Sequence, residues 1–125
     1  SLGGFVRVWS RGRVSARQII EHIGGIDGIE LALDKETVCR MFEMPPDREA
    51  DVAVISRHDV CIGASAGNHD LSGLKGNRLR THGGVSEAKV PFILNRPLND
   101  AYKSKAAAEP LKSYQLFDYA INGTV

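Results

Sequence analysis

The chain has 125 residues, of which 42% are hydrophobic and 25% are charged, a size and composition typical of one globular domain. Its 16 lysines and arginines nearly balance 15 aspartates and glutamates, so we expect neither a nucleic-acid partner nor binding to an anionic membrane. The longest apolar runs are far shorter than the roughly 20 residues that cross a bilayer. Two cysteines are too few for a disulfide framework and favour a cytoplasmic location. Because the chain opens with Ser1-Leu2 and not with methionine, we expect a piece of a longer protein.

The first strand and the first helix are predicted within residues 3–25. Residues 5–9 alternate between two faces and are rich in strand-forming side chains. Ser15 stands three residues before Gln18, which is the capping-box spacing of a helix start. Glycine tolerates the left-handed conformation of helix ends, so the helix should end at Gly24-Gly25. Its buried face should consist of Ile19, Ile20 and Ile23.

Further strands and a second helix are predicted up to residue 63. A strand over residues 29–33 precedes Asp34, which can cap a helix from Lys35 to about Phe42. Residues 51–56 predict a buried strand, and residues 59–63 predict its hairpin partner. The second helix should bury Val38, Met41 and Phe42. This order of elements predicts an α+β fold, a small two-layer domain over residues 3–66 with helices on one face of a sheet.

The composition changes near residues 64–70, where glycine, asparagine and charged residues begin to dominate. A long stretch of this kind is uncommon inside a compact domain and is usually functional or disordered. The apolar run from Val90 to Leu94 predicts a strand, and residues 99–110 are polar and alanine-rich, which indicates at most a weak helix. Residues 113–121 predict a short terminal helix. We therefore expect a second region over residues 67–125.

Three motifs in this second region resemble a known family. They are HDLSGL at residues 69–74, THGG at residues 81–84 and SEAKVPFILNRPL at residues 86–98. Together they resemble the C-terminal part of phosphonoacetate hydrolase, a zinc-dependent member of the alkaline phosphatase superfamily. The resemblance covers about residues 3–122 but only a late portion of the enzyme. It implies that residues 3–66 form a cap-like region and that residues 67–125 return to an incomplete core.

His82 is the one metal ligand that the resemblance assigns to this chain. A histidine in a glycine-rich loop is most often structural, but a neutral imidazole is also a common zinc ligand. The resemblance implies two zinc ions in each complete active site, with a threonine nucleophile and most ligands upstream of Ser1. The reaction would cleave the carbon–phosphorus bond of phosphonoacetate, giving acetate and phosphate. We expect the 125 residues alone to be inactive and not to hold a zinc ion fully, because a catalytic zinc needs about three protein ligands.

Other residues of the same region are weaker candidates. Arg78 and Arg80 could attract an anionic phosphonate, although solvated loop charges are the simpler interpretation. The small residues Gly83 and Gly84 would let the backbone pass close to a metal centre. We expect His69 and Asp70 to tie the loop together through hydrogen bonds and not to bind metal.

Alternative hypotheses remain open at this point. A local metal site could form from His58, Cys61, His69 and His82, although no paired Cys-x-x-Cys unit supports it. The parent could be a related phosphodiesterase or phosphatase of the same superfamily. The chain could instead be a non-catalytic α+β binding module. An incomplete core would expose apolar surface, so we also expect a homo-oligomer.

Overall fold

The computed structural model describes residues 3–65, 67, 69–77 and 81–125. These residues form two compact units, one ending at Ala88 and the other spanning Lys89–Val125. The composition change predicts a boundary between residues 66 and 67, whereas the two units divide between Ala88 and Lys89. The difference arises because the loop around His82 packs with the first unit. The assignment of the two regions to a cap and a core stays a prediction.

The first unit contains a three-stranded antiparallel sheet. Its strands are β1 (Phe5–Val8), β2 (Ile29–Asp34) and β3 (Val52–Ser56), and β3 lies between the other two. Every residue of β3 is buried, which explains why this strand is a continuous apolar run and does not alternate. Ile55 of β3 stands opposite both Phe5 and Leu31. The predicted mixed fold of helices and sheet is confirmed.

Two capped helices pack against β2 and β3 of this sheet. Helix α1 spans Ala16–Ile23, and its start carries the predicted capping box between Ser15 and Gln18. Helix α2 spans Lys35–Phe42 and begins where the Asp34 carboxylate accepts a hydrogen bond of 2.7 Å from the Thr37 N–H. Both helix starts were predictable because a cap is a local interaction that the sequence spacing displays directly.

The prediction of a strand over residues 59–63 was wrong. Only Ile62 pairs with Gly3, in an isolated bridge. Asp59 adopts a left-handed conformation with φ 64°, and the Ser56 hydroxyl donates a hydrogen bond of 2.7 Å to the Val60 carbonyl. These local bonds close a turn directly after β3, which leaves no extended segment to form a ladder.

Two expectations about the helices also need correction. Gly24 caps α1 in a right-handed conformation with φ −61°, so its left-handed freedom is not what ends the helix. Met41 of α2 is 56% exposed, whereas Val38 is fully buried. A short helix on a three-stranded sheet buries only a narrow stripe, and Met41 lies outside it.

The second unit contains helices α3 (Asp100–Ala108) and α4 (Leu116–Asn122). Tyr119 of α4 is fully buried. Its ring meets those of Phe92 and Tyr102 edge-on, with centroids 5.5 and 4.9 Å apart, a favourable aromatic geometry. The predicted terminal helix is confirmed. No described helix, in this unit or in the first, is long and apolar enough for a transmembrane span.

Two segments of the second unit differ from the prediction. Residues 90–94 form no strand, because Pro91 has no N–H to donate and the fully described unit provides no neighbouring strand. Residues 100–108 form a regular helix where at most a weak one was expected. Asn99 starts this helix by accepting a hydrogen bond of 3.1 Å from the Tyr102 N–H, a cap that the sequence analysis did not identify.

Candidate functional site

The loop that carries His82 is fixed to the start of β1. The His82 carbonyl accepts a hydrogen bond of 2.7 Å from the Gly4 N–H, and the Gly4 carbonyl accepts one of 2.9 Å from the Ser56 N–H. Gly4 therefore connects the loop to the buried central strand. The His82 side chain itself is exposed, so the backbone is held in place while the imidazole stays accessible to a ligand.

Gly83 and Gly4 allow this close approach of two backbone segments. Gly83 has φ +91°, and a Cβ at this position would lie 3.0 Å from the Phe5 Cβ. A Cβ on Gly4 would lie 2.9 Å from the Gly84 nitrogen. Gly83 and Gly4 thus let the loop pack closely against the start of β1. The predicted proximity of Gly83 and Gly84 to a metal centre stays a prediction.

The exit of the loop is fixed by Glu87. Its carboxylate accepts a hydrogen bond of 2.9 Å from the Gly84 N–H, at the start of a short 3-10 helix over Val85–Glu87. Glu87 was not predicted from the sequence, although its three-residue spacing from Gly84 is that of a helix cap. The hydroxyl of Thr81, just before His82, is buried and has no partner among the described residues.

The His82 ring lies against Gly3. A Cβ on Gly3 would be 3.2 Å from Cε1 and 3.5 Å from Nδ1 of the imidazole, so the ring lies close to Gly3. Nε2 is not among the three atoms closest to this position. A side chain at Gly3 would therefore require a small shift of the imidazole.

His69 and Asp70 make local hydrogen bonds. His69 Nε2 accepts one of 3.4 Å from the Ala64 N–H. The Asp70 carboxylate accepts hydrogen bonds from the Ser72 N–H at 2.9 Å and from its hydroxyl at 3.0 Å. The backbone N–H of Ser72, followed by its hydroxyl, lowers the pKa of Asp70 below its ordinary value. Both side chains thus stabilise short loop segments through local hydrogen bonds.

The alternative metal site is not assembled. His58 pairs instead with its neighbour Asp59, with 2.9 Å between Nδ1 and Oδ2. Within the described ranges, which include all four proposed ligands, no three histidine, cysteine or acidic side chains come together in a way that could hold a metal ion. The two weak substrate-binding candidates, Arg78 and Arg80, lie outside the described residues.

A groove of about 660 Å³ lies elsewhere in the first unit. It runs between the connection from β1 to α1 and the start of α2. The residues that line it are Ser10, Val14, Ser15, Ala16, Asp34, Lys35, Glu36, Cys39, Pro46 and Asp51. This groove was not predicted from the sequence, because residues that are far apart in the chain form its walls.

Solved structures of phosphonoacetate hydrolase from Sinorhizobium meliloti 1021 are similar to this chain. The complex with phosphonoacetate superposes with a TM-score of 0.68 and the complex with phosphonoformate with 0.67, each at 30% sequence identity. Each match covers 99% of this chain but 29% of the hydrolase chain. No protein-family model matches the sequence. The resemblance predicted from the HDLSGL and THGG motifs is therefore confirmed: over nearly its whole length, this chain is similar to part of a phosphonoacetate hydrolase.

Proposed function

We propose that this chain is part of a zinc-dependent hydrolase that cleaves the carbon–phosphorus bond of phosphonoacetate to give acetate and phosphate. The observation that supports this most directly is the 30% identity over 99% of the chain to a phosphonoacetate hydrolase crystallised with phosphonoacetate. Because the chain spans 29% of that hydrolase, the activity belongs to the whole parent protein. The separate chain would be inactive.

His82 would bind one zinc ion through its imidazole ring. The ring of His82 is exposed and its backbone is hydrogen-bonded to Gly4. Both features suit a metal-binding side chain whose position is fixed before the metal binds. Gly3 carries no side chain that would crowd the imidazole, so the ring stays accessible to a metal ion. When bound, zinc would act as a Lewis acid and lower the pKa of a coordinated water.

The described residues contain no group of three side chains that could hold a metal ion. The remaining ligands would therefore come from other parts of the parent. This chain's contribution is therefore the position of one imidazole. The bond from Gly4 to the His82 carbonyl fixes the loop at its centre, and the bond from Gly84 to Glu87 fixes its exit. Preorganised ligands of this kind strengthen metal binding because less chain entropy is lost when the metal arrives.

The test replaces His82 by alanine in the full-length parent. Losing one of about three protein ligands should remove about one zinc per chain and reduce phosphonoacetate hydrolysis at least about a hundredfold. His22→Ala is the matched control, because His22 is also exposed but lies on α1. Zinc is measured by elemental analysis and activity by phosphate release. Unchanged zinc and turnover in His82→Ala would contradict the proposal, and faster hydrolysis of a phosphate monoester would indicate a related phosphatase.

A further inference from the structure

An exposed apolar surface covers part of the second unit, and we call it the α4 surface. On α4, Phe117 is 76% exposed and Ile121 is 74% exposed. They stand four residues apart and so lie on one face of the helix. Opposite them on the same helix, Tyr119 is fully buried. Helix α4 therefore has apolar side chains on two faces, of which the unit itself covers only one.

The preceding segment extends this surface. Val90 is 62% exposed and Ile93 is 78% exposed. Both residues line an apolar cleft of about 90 Å³ together with Leu116, the first residue of α4. Leu116 adjoins Phe117 in the chain, so we group Val90, Ile93, Leu116, Phe117 and Ile121 as the α4 surface. Large side chains clustered in this way on a soluble domain usually mark an interaction site.

The second unit is too small to be complete by itself. Lys89–Val125 is shorter than the roughly 40 residues below which a chain usually needs a disulfide, a metal or a partner to stay folded. Tyr119 is the one large apolar side chain that is buried in this fully described unit. A unit with so little core of its own gains most of its stability from whatever covers its exposed apolar side chains.

We propose that the α4 surface is an intramolecular interface that packs against the remainder of the parent hydrolase, the part that this chain does not include. The matched hydrolase is long enough to supply such a partner, since this chain corresponds to 29% of it. The inference rests on the proposed membership of a larger hydrolase, but it does not depend on zinc or on the reaction.

Cysteine labelling in the full-length parent tests this interface. Ile93→Cys and Ile121→Cys place a thiol within the α4 surface, and Lys103→Cys is the control on the solvent-exposed side of α3. Reaction with N-ethylmaleimide is followed by peptide mass spectrometry, which separates the new thiols from Cys39 and Cys61. Each rate is divided by the rate for the same variant in denaturant. We expect the two interface thiols to react at least about tenfold more slowly than the control.

Two outcomes would overturn the proposal. Labelling of Ile93→Cys and Ile121→Cys at the rate of the control would show that nothing covers the surface in the parent. Protection that disappears on dilution, together with dissociation of a dimer in light scattering, would show that a second copy covers it. Circular dichroism confirms that each variant is folded. Because the readout needs no turnover, a parent without phosphonoacetate hydrolase activity would still test the interface.

Discussion

Gly83 combines two constraints that no other residue type meets at this position. Its φ of +91° lies in the region where a side chain costs about 1 to 2 kcal/mol. A Cβ would in addition stand 3.0 Å from Phe5 Cβ, a contact so close that the loop or the start of β1 has to shift. We expect Gly83→Ala to lower the free energy of unfolding by about 2 to 4 kcal/mol, as measured by urea denaturation.

Gly12→Ala is the matched control for Gly83→Ala. Gly12 also has a positive φ, +73°, but nothing lies within 4 Å of its Cβ position. This variant should therefore show the conformational cost alone, about 1 to 2 kcal/mol. Equal losses in the two variants would mean that the loop moves away from Phe5 freely, and that the contact does not hold His82 in place.

Arg7 of β1 and Glu49, which lies just before β3, form a partly buried ion pair. The Glu49 side chain is 1% exposed, and Arg7 donates to its two carboxylate oxygens at 2.9 and 3.2 Å. Burial by itself would raise the pKa of Glu49, but the hydrogen bonds from Arg7 and from the Ala50 N–H outweigh it and hold the pKa below the ordinary 4.5. Glu49→Gln should lower the free energy of unfolding at pH 7 by about 1 to 3 kcal/mol.

The contribution of this pair should depend on pH in a defined direction. A carboxylate with a lowered pKa stabilises the fold above its unfolded-state pKa, and this stability is lost as the pH falls through the lowered value. The difference in the free energy of unfolding between wild type and Glu49→Gln should therefore shrink below pH 4.5. Glu21→Gln is the control, since the exposed Arg17–Glu21 pair contributes about 0.3 to 0.5 kcal/mol. A difference that stays constant from pH 7 to pH 3 would contradict the assignment.

At the scale of elements, the Asp34 cap decides where α2 begins. Its carboxylate satisfies the Thr37 N–H, and this backbone hydrogen bond is the main cause that lowers the pKa of Asp34. Asp34→Ala should lower the free energy of unfolding by about 1 kcal/mol, as measured by urea denaturation at pH 7. Asp47→Ala removes an exposed carboxylate that lies 3.6 Å from its neighbour Arg48 and should have little effect. Equal effects of the two variants would mean that charge, and not capping, matters at Asp34.

The caps also show which elements a sequence can predict. The starts of α1 and α2 were predicted correctly because each depends on residues within one helical turn. The strands expected over residues 59–63 and 90–94 failed because a strand needs a partner elsewhere in the chain. Their apolar composition carried no information on pairing, and no residue of either segment is fully buried.

At the scale of the whole molecule, the two units differ in how much core each contains. All five residues of β3 are buried, whereas α3 contains no buried residue and α4 contains only Tyr119. Elements with few buried apolar contacts open at lower free energy. In the 125-residue chain, amides of β3 should exchange at least about tenfold more slowly than those of α3 and α4. Hydrogen exchange read by mass spectrometry checks this, and equal protection would show that both units unfold together.

The sequence by itself determined the local features of this protein. It determined the caps of Ser15 and Asp34, the buried run of β3 and the motif resemblance that led to phosphonoacetate hydrolase. The tertiary structure decided what depends on residues distant in the chain. It placed His82 beside Gly3, explained Gly83 by its contact with Phe5, and left the α4 surface exposed. The physical reason is that caps and periodicity are short-range interactions, whereas close packing and pairing depend on how the whole chain folds.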